Sequence, residues 1–265
     1  METGQNTKAI GVMDSGVGGL TVLKQLIETC PQENYLYFGD TKNLPYGEKS
    51  KQELIDIVKE IFDYFETRNV KAVVLACNTT SATAYEELKD KYSFKIYPLI
   101  QTVAKCVASD KGIKKIAVMA TQATVNSKKY TSEFKKNNQE IEVLEQACPL
   151  WVPIVENKIK NYDEQEAIYG YLNKVIEFNP QKIILGCTHY PYLLDKLSKY
   201  TTKDLFINPA GIFANYIKQD LIKNNLINPQ KQGYTRYFAS SEPEKFKENA
   251  ELFLKINSIP ELIEL

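Results

Sequence analysis

The sequence predicts an α/β protein made of two similar units, each a parallel-rich sheet flanked by helices. Short, continuously apolar runs alternate with longer amphipathic ones, which is typical of parallel strands buried on both faces. Two distant stretches also resemble each other: residues 73–79, VVLACNT, and residues 183–189, IILGCTH. At 265 residues the chain is long enough for two units of about a hundred residues each.

The strand-like runs form two sets along the chain. Predicted strands cover residues 10–13, 35–38, 72–76, 95–100, 116–120, 141–145, 183–186 and 205–207. Amphipathic helices are predicted over residues 20–27, 51–65 and 164–178, where apolar side chains recur at helical spacing. The units are expected to separate near residues 109–112 or in the helix-like segment just before them. The tail, residues 211–265, carries one further strand-like run at 234–239 and two helical runs, and it could close either unit.

Composition is that of an ordinary globular protein and disfavours several classes of partner. Lys and Arg together number 33, as do Asp and Glu, so the formal net charge is +0. Because the chain has no basic block, neither nucleic acid nor a membrane surface is an expected partner. No apolar run approaches the length that crosses a bilayer, and the polar residues 1–8 lack a signal-peptide core.

The cysteines indicate a reducing compartment. There are 5 of them, and no two are spaced C-x-x-C. An odd number without that spacing disfavours both a disulfide framework and a zinc ribbon. We therefore expect a cytoplasmic protein.

Small polar residues and two of the cysteines follow the predicted strands, at the end where parallel sheets bind ligands. The segments at these strand ends are Asp14-Ser15-Gly16, Gly39-Asp40 with Leu44-Pro45-Tyr46-Gly47, Cys77, Thr121 with Thr124, and Cys187. If the two units face each other, these loops converge on one interdomain crevice, which is where we expect the active site. Residues 45–47 taken alone are only a turn pattern.

The repeated cysteines, Cys77 and Cys187, are candidates for acid–base chemistry. A strand-end cysteine is commonly a core residue, and that is our interpretation of Cys30, Cys106 and Cys148. Cys77 and Cys187 each follow a strand and precede expected helix N-caps, which are Thr79 and Ser81 after Cys77 and Thr188 after Cys187. A helix N-terminus lowers a thiol pKa from about 8.5. Two thiols at equivalent places suggest a site with two matching faces, as the inversion of a stereocentre by proton transfer requires.

Three further features, at His189, residues 14–19 and Glu156, need interpretation from the sequence. His189, the one histidine, lies two residues after Cys187 and is expected to assist its thiol, although both could instead bind a metal. Residues 14–19, DSGVGG, look superficially like a dinucleotide-binding turn, but Thr21 stands where the third glycine is needed. We expect a tight turn that places Asp14 near a thiol and Ser15 as a substrate donor. From its position alone, Glu156 is a solvent-facing helix charge.

Assembled, these motifs resemble the glutamate racemases, a cofactor-independent family of the aspartate/glutamate racemase superfamily. The resemblance runs nearly end to end and is most specific at residues 186–191, GCTHYP. The other matching segments are residues 14–20, 38–40, 44–47, 76–79, 120–121, 123–125 and 153–156.

The resemblance implies two α/β domains related by pseudo-twofold symmetry, with the tail folded onto the first. The first domain would then contain residues 1–98 and 210–265, and the second would contain residues 99–209. It also implies an isomerase in which Cys77 deprotonates D-glutamate and Cys187 deprotonates L-glutamate. Asp14 would support Cys77, and Glu156 and His189 would support Cys187.

The remaining implications concern ligands and biological role. The substrate-binding residues would be Asp14, Ser15, Tyr46, Gly47, Asn78, Thr79, Thr121, Thr124, Thr188 and His189. No cofactor and no metal are expected, and the protein would be a homodimer. Its product, D-glutamate, would supply peptidoglycan synthesis and thus cell-wall biogenesis and cell shape.

Three alternatives stay open on the sequence. The enzyme could be a related racemase that acts on aspartate. It could be a non-catalytic two-lobed protein that only binds a small acid, although binding alone does not need two thiols. A metal-dependent hydrolase using Cys187 and His189 is the third alternative.

Overall fold

The computed structural model describes residues 4–156 and 164–265 and divides the chain into two units. Unit 1 contains Met1–Leu99 and Ala210–Leu265, and unit 2 contains Ile100–Pro209. The first boundary lies one residue beyond the expected one, at the start of a helix, and the second lies where it was expected. That each unit folds as a separate domain stays a prediction. Residues 1–3 of the polar amino-terminal segment lie outside the described residues.

Unit 1 is built on a six-stranded parallel sheet. Its strands, numbered in chain order along the whole chain, are β1 (Ile10–Asp14), β2 (Tyr35–Gly39), β3 (Ala72–Leu75), β4 (Lys95–Pro98), β9 (Thr235–Ala239) and β10 (Glu261–Leu262). They are ordered β10-β9-β2-β1-β3-β4, and every neighbouring pair is parallel. The helices are α1 (Leu20–Thr29), α2 (Lys51–Thr67), α3 (Asn78–Thr83), α4 (Tyr85–Leu88), α11 (Pro209–Lys223) and α12 (Pro243–Ala250).

Helix α2 forms much of the unit 1 core. It begins with a capping box, in which the Ser50 side chain accepts from the Glu53 N–H and the Glu53 carboxylate accepts from the Ser50 N–H. The buried face of α2 consists of Leu54, Val58, Ile61, Phe62 and Phe65. Burying one such side chain contributes roughly 1.5–3 kcal/mol, so this face anchors the helix on the sheet.

The carboxyl-terminal tail closes unit 1. Strand β9 pairs with β2, and β10 adds to β9. A buried ion pair joins Lys71, just before β3, to Glu33, just before β2, and both residues contact the tail. Lys71 Nζ also donates to the Leu226 carbonyl at 2.7 Å, and Glu33 Oε1 accepts from the Asn228 N–H at 2.7 Å. Residue patterns alone left the position of the tail open, because these contacts join segments far apart in the chain.

Unit 2 repeats the strand order of unit 1. Its strands are β5 (Lys115–Ala120), β6 (Glu142–Ala147), β7 (Lys182–Gly186) and β8 (Phe206–Ile207), in the parallel order β6-β5-β7-β8. Its helices are α5 (Leu99–Ala108), α6 (Gln122–Ser127), α7 (Lys129–Asn137), α8 (Trp151–Val155), α9 (Glu164–Glu177) and α10 (Leu194–Leu197). In both units the first strand therefore lies between the second and the third, which explains the repeat seen in the sequence.

The predicted fold class is confirmed: two parallel sheets, each with its own helices. Strand and helix boundaries differ from the expected ones by one or two residues. The strand expected at 95–100 ends at Pro98, because α5 begins at Leu99. Among residues 4–156 and 164–265, no helix is both long enough and apolar enough to cross a membrane.

Candidate functional site

The two repeated cysteines occupy equivalent places. Cys77 follows β3 with an extended backbone and is itself the N-cap residue of α3. Cys187 follows β7 and precedes a short 3-10 turn over Tyr190–Leu193. Both are buried, at 7% exposure each. The expected N-caps Thr79, Ser81 and Thr188 are not the capping residues, because the first turn begins at the cysteine in unit 1 and after His189 in unit 2.

The strand register places a hydroxyl residue beside each cysteine. Met13 is aligned with Leu75 in unit 1, so Ser15 and Cys77 both lie two residues further on. The Cys77 Sγ lies 3.9 Å from the Ser15 Oγ. In unit 2, Ala120 is aligned with Gly186, and Thr121 and Cys187 are the residues that follow this aligned pair.

Asp14 is held at the end of β1 beside these groups. Its side chain is buried, and Oδ2 accepts from the Gly16 N–H at 3.0 Å. A Cβ at Gly19 would lie 2.4 Å from the Asp14 Cβ, so glycine is required for this close approach. Burial raises the pKa of Tyr37 well above 10.0, and the charges of Asp14 and Cys77 raise it further. Asp14 and Cys77 therefore both lie within electrostatic range of one buried hydroxyl.

The turn after β2 places the Tyr46 side chain in the interior of unit 1. Tyr46 is buried and its hydroxyl donates to Asp40 Oδ2. Gly47 follows, and a Cβ added there would meet nothing within 4 Å. On α3, Asn78 and Thr79 are also buried, at 3% and 4% exposure, next to Cys77 in the chain. Asp14, Ser15, Tyr46, Cys77 and Asn78 define what we call the Cys77 site.

Unit 2 gathers Cys187, Thr188, His189 and Glu156 into what we call the Cys187 site. The His189 Nδ1 lies 3.9 Å from the Cys187 Sγ and 3.5 Å from the Thr188 Oγ1. Its Nε2 lies 3.0 Å from Glu156 Oε1, at the end of α8. Glu156 is thus not the solvent-facing helix charge that its position alone suggested, since its side chain is 17% exposed and pairs with the imidazole.

The protonation of His189 follows from these neighbours. Burial on its own lowers the pKa of His189, but hydrogen bonds and charges of Cys187 and Glu156 outweigh burial and raise it from 6.5 to about 10. His189 is therefore an imidazolium at neutral pH. The Nδ1 of this cation lies 3.9 Å from the Cys187 Sγ, so His189 places positive charge beside that sulfur.

Thr121 and Thr124 stabilise the loop after β5. The Thr121 side chain caps α6, where its Oγ1 accepts from the Thr124 N–H at 3.4 Å and lies 3.1 Å from the Thr124 Oγ1. Thr124 is fully buried, whereas Thr121 is partly exposed. Of this pair, Thr121 is the one open to a ligand.

Residue patterns placed Asp40 at a strand end but missed its contacts and several other groups that shape these sites. Asp40 and Ser240 lie behind Tyr46, and the Ser240 Oγ donates to Asp40 Oδ1 at 2.6 Å. In unit 2 the Tyr190 hydroxyl donates to the Cys148 carbonyl at 2.8 Å, and its ring packs on Trp151 with centroids 4.9 Å apart. These contacts join separate segments, so no local motif indicates them.

Metal ligation was one alternative for Cys187 and His189. Within the described parts of the chain, no three His, Cys, Asp or Glu side chains are grouped so that they could hold a metal ion. Cys148, the other thiol near Cys187, is fully buried, and burial followed by the Cys187 charge raises its pKa well above 9.0.

Two sheets of like order, each with a cysteine and polar side chains at the end of its third strand, define a two-unit α/β protein with a thiol site in each unit. The family model described as Asp/Glu/Hydantoin racemase matches residues 10–217. The chain belongs to this family, and the expectation of a racemase, an isomerase, is confirmed at that level.

Individual relatives match over nearly the whole chain. A glutamate racemase from Thermoanaerobacter pseudethanolicus is 38% identical over 251 residues, which cover 94% of each chain. The structure of glutamate racemase from Francisella tularensis in complex with D-glutamate has a TM-score of 0.88 at 31% identity, covering 98% of each chain. A glutamate racemase isoform from Bacillus anthracis has a TM-score of 0.92 at 28% identity, also covering 98% of each.

Proposed function

We propose that this chain interconverts L- and D-glutamate without a cofactor, using Cys77 and Cys187 as two proton-transfer groups. The observation that carries the proposal is the repeated cysteine at the end of β3 and of β7, each in a buried polar site. The relatives support glutamate as the substrate. They are named glutamate racemases, and they match more than nine-tenths of the chain.

Each direction needs one thiolate and one thiol. For L-glutamate, the Cys187 thiolate takes the α-proton and becomes a thiol, while the Cys77 thiol gives its proton to the opposite face and becomes a thiolate. For D-glutamate the two roles are exchanged. The scheme requires both sulfurs to reach the same α-carbon.

Neutral donors suit the substrate carboxylates in this scheme. Of the two arginines in the chain, Arg68 stacks on Tyr64 and Arg236 pairs with Glu261, both outside the Cys77 site. Asn78, Thr79 and Thr188 are buried donors next to the cysteines in the chain, and Ser15 and Thr121 are partly exposed donors. Donors that stabilise the charge developing on the α-carboxylate lower the barrier to removal of the weakly acidic α-proton. Because these donors are neutral, they do not form an ion pair with the catalytic thiolate.

The biological role follows from the product. D-glutamate formed here would supply peptidoglycan synthesis in the cytoplasm, and thereby cell-wall biogenesis and cell shape. A homodimer is proposed from the family resemblance.

The decisive experiment follows α-hydrogen exchange in D₂O together with optical rotation. Wild type is expected to racemise glutamate from either enantiomer with deuterium at the α-carbon of the product. Cys77→Ser and Cys187→Ser should each abolish racemisation, and each should retain slow exchange into only one enantiomer, L for Cys77→Ser and D for Cys187→Ser. Cys106→Ser, which alters a half-buried thiol on α5, is the matched control and should keep full activity.

Two results would overturn parts of the proposal. Near-normal turnover in both directions by either serine variant would refute the two-thiol scheme. Faster racemisation of aspartate than of glutamate would assign the family chemistry to another substrate.

A further inference from the structure

We propose that Asp40 is a positioning residue for the turn at residues 44–47, and that Ser240, from the carboxyl-terminal tail, holds Asp40 in place. The inference rests on the proposed function, in which Tyr46 and Gly47 bind glutamate. It gives a role to Asp40, which the sequence placed only at a strand end, adds Ser240, which no motif indicated, and gives the tail a part in substrate binding.

Both carboxylate oxygens of Asp40 are engaged by neighbouring donors. Asp40 is 1% exposed. Its Oδ2 accepts from the Tyr46 hydroxyl and from the Asn43 Nδ2, the latter at 3.0 Å. Its Oδ1 accepts from the Ser240 Oγ at 2.6 Å. Hydrogen bonds to a buried carboxylate are among the stronger ones in proteins, so this cluster fixes the turn.

The direction of the Tyr46 hydrogen bond limits what Tyr46 offers to a substrate. A phenol has a single proton, and here Asp40 receives it. Burial, followed by the charge of Asp40, raises the pKa of Tyr46 well above 10.0, so the hydroxyl stays protonated and remains the donor. Tyr46 and Gly47 can therefore donate to a substrate carboxylate only through their backbone N–H groups.

The glycine in this turn fits such backbone recognition. The backbone of Gly47 does not adopt a positive φ, and a Cβ there would meet no protein atom within 4 Å. Neither local conformation nor packing therefore requires glycine at this position. Open space beside a backbone N–H is what the close approach of an anionic ligand needs.

Ser240 connects this turn to the tail. Besides donating to Asp40, its Oγ accepts from the Lys42 N–H at 2.9 Å. The Thr41 Oγ1 donates to the Ser241 carbonyl at 2.8 Å. Since β2 and β9 are paired up to Gly39 and Ala239, the two chain segments leave the sheet side by side. The tail thus braces the loop that carries Asp40.

A double-mutant cycle on the full-length protein tests the inference. Tyr46→Phe and Asp40→Ala are each expected to raise KM for glutamate roughly tenfold, the scale of one lost hydrogen bond to a buried charge, with a much smaller change in kcat. The double variant should be no worse than Asp40→Ala alone, because the hydroxyl acts through Asp40. Asp40→Asn keeps an acceptor and should recover most of the loss in KM. Ser240→Ala should raise KM by about threefold.

Tyr35→Phe is the matched control. The Tyr35 hydroxyl is also buried and donates to the Leu26 and Cys30 carbonyls at the other end of β2. Its loss should lower the thermal midpoint as Tyr46→Phe does, but leave KM unchanged.

The outcomes separate this inference from the proposed function. If the effects of Tyr46→Phe and Asp40→Ala on KM multiply, the hydroxyl contacts substrate directly and the inference is wrong. An active wild type whose Asp40→Ala variant keeps the wild-type KM overturns the inference alone. A wild type that does not racemise glutamate overturns the proposed function, and the inference falls with it.

Discussion

Replacing Glu156 by Gln tests the electrostatic basis of the Cys187 site. The substitution keeps the shape of the side chain and an oxygen that can accept from His189 Nε2, which now lies 3.0 Å from Glu156 Oε1. It removes only the negative charge. The imidazolium form of His189 then loses one of the two partners that stabilise it.

The size of the effect follows from the pKa of His189. The rise from 6.5 to about 10 corresponds to roughly 5 kcal/mol, at about 1.4 kcal/mol per pH unit. Cys187 and Glu156 share this stabilisation. If Glu156 supplies about 2 kcal/mol of it, its neutralisation weakens proton binding at His189 roughly thirtyfold, which lowers the pKa of His189 toward its ordinary value.

The kinetic consequence has a definite sign with pH. In the variant the imidazolium of His189 loses its proton at a lower pH than in wild type, so the positive charge beside Cys187 disappears earlier as the pH rises. Near pH 7 both proteins keep this charge, so the deficit of the variant relative to wild type should grow from about pH 7 to about pH 9. Because enantiomers have equal free energies, kcat/KM must fall equally for L- and D-glutamate.

Two measurements check this prediction. Circular dichroism gives kcat/KM from each enantiomer across the pH range. The alkylation rate of Cys187 by iodoacetamide, measured in a Cys77→Ser background, reports the thiolate fraction without reference to turnover.

Glu133→Gln is the matched control. Glu133 is a buried carboxylate of the same unit that pairs with Lys129 at 3.1 Å. It should leave both readouts at wild-type values. An alkylation rate in Glu156→Gln that equals wild type at every pH would refute the assigned role of Glu156.

Two further predictions concern the scaffold around the sites. Gly19→Ala should lower the free energy of unfolding by about 1–3 kcal/mol, since its Cβ would lie 2.4 Å from the Asp14 Cβ, whereas Gly47→Ala should stay within about 0.5 kcal/mol and raise KM. Urea unfolding of both variants checks the contrast, and equal stabilities would contradict it. Lys71→Met should destabilise by about 3–5 kcal/mol at neutral pH, because the buried Glu33 carboxylate loses its partner. Thermal unfolding of the variant measures this loss, and a loss below about 1 kcal/mol would rule out this explanation.

The parts of the molecule that sequence patterns predicted are those with a local cause. Strand–helix alternation and apolar periodicity identified the elements, and the repeated context of Cys77 and Cys187 identified the third strand of each unit. The turn at Asp14 was likewise expected from its glycines. In each case the pattern spans only a few consecutive residues, so it can be recognised without the fold.

What patterns missed depends on contacts between distant residues. Asp40 and Ser240 are 200 positions apart, and only the pairing of β2 with β9 brings them together. Glu156 looked like a solvated charge because its partner, His189, lies 33 residues away. The helix caps were misplaced for a different reason: whether Cys77 or Thr79 begins the first turn of α3 depends on where β3 ends, and boundaries are poorly determined by composition.

The two units share a backbone plan but surround their thiols differently, and the difference bears on the proposed reaction. Two residues after the cysteine, unit 1 has Thr79 and unit 2 has His189. An imidazolium thus lies beside Cys187, whereas the Ser15 hydroxyl lies beside Cys77 and the Asp14 carboxylate acts, with Cys77, on the buried Tyr37. A neighbouring cation favours a thiolate and a neighbouring anion favours a thiol. Because kcat/KM must be equal in the two directions, the effect of this asymmetry on the proposed reaction has to appear in kcat and KM separately.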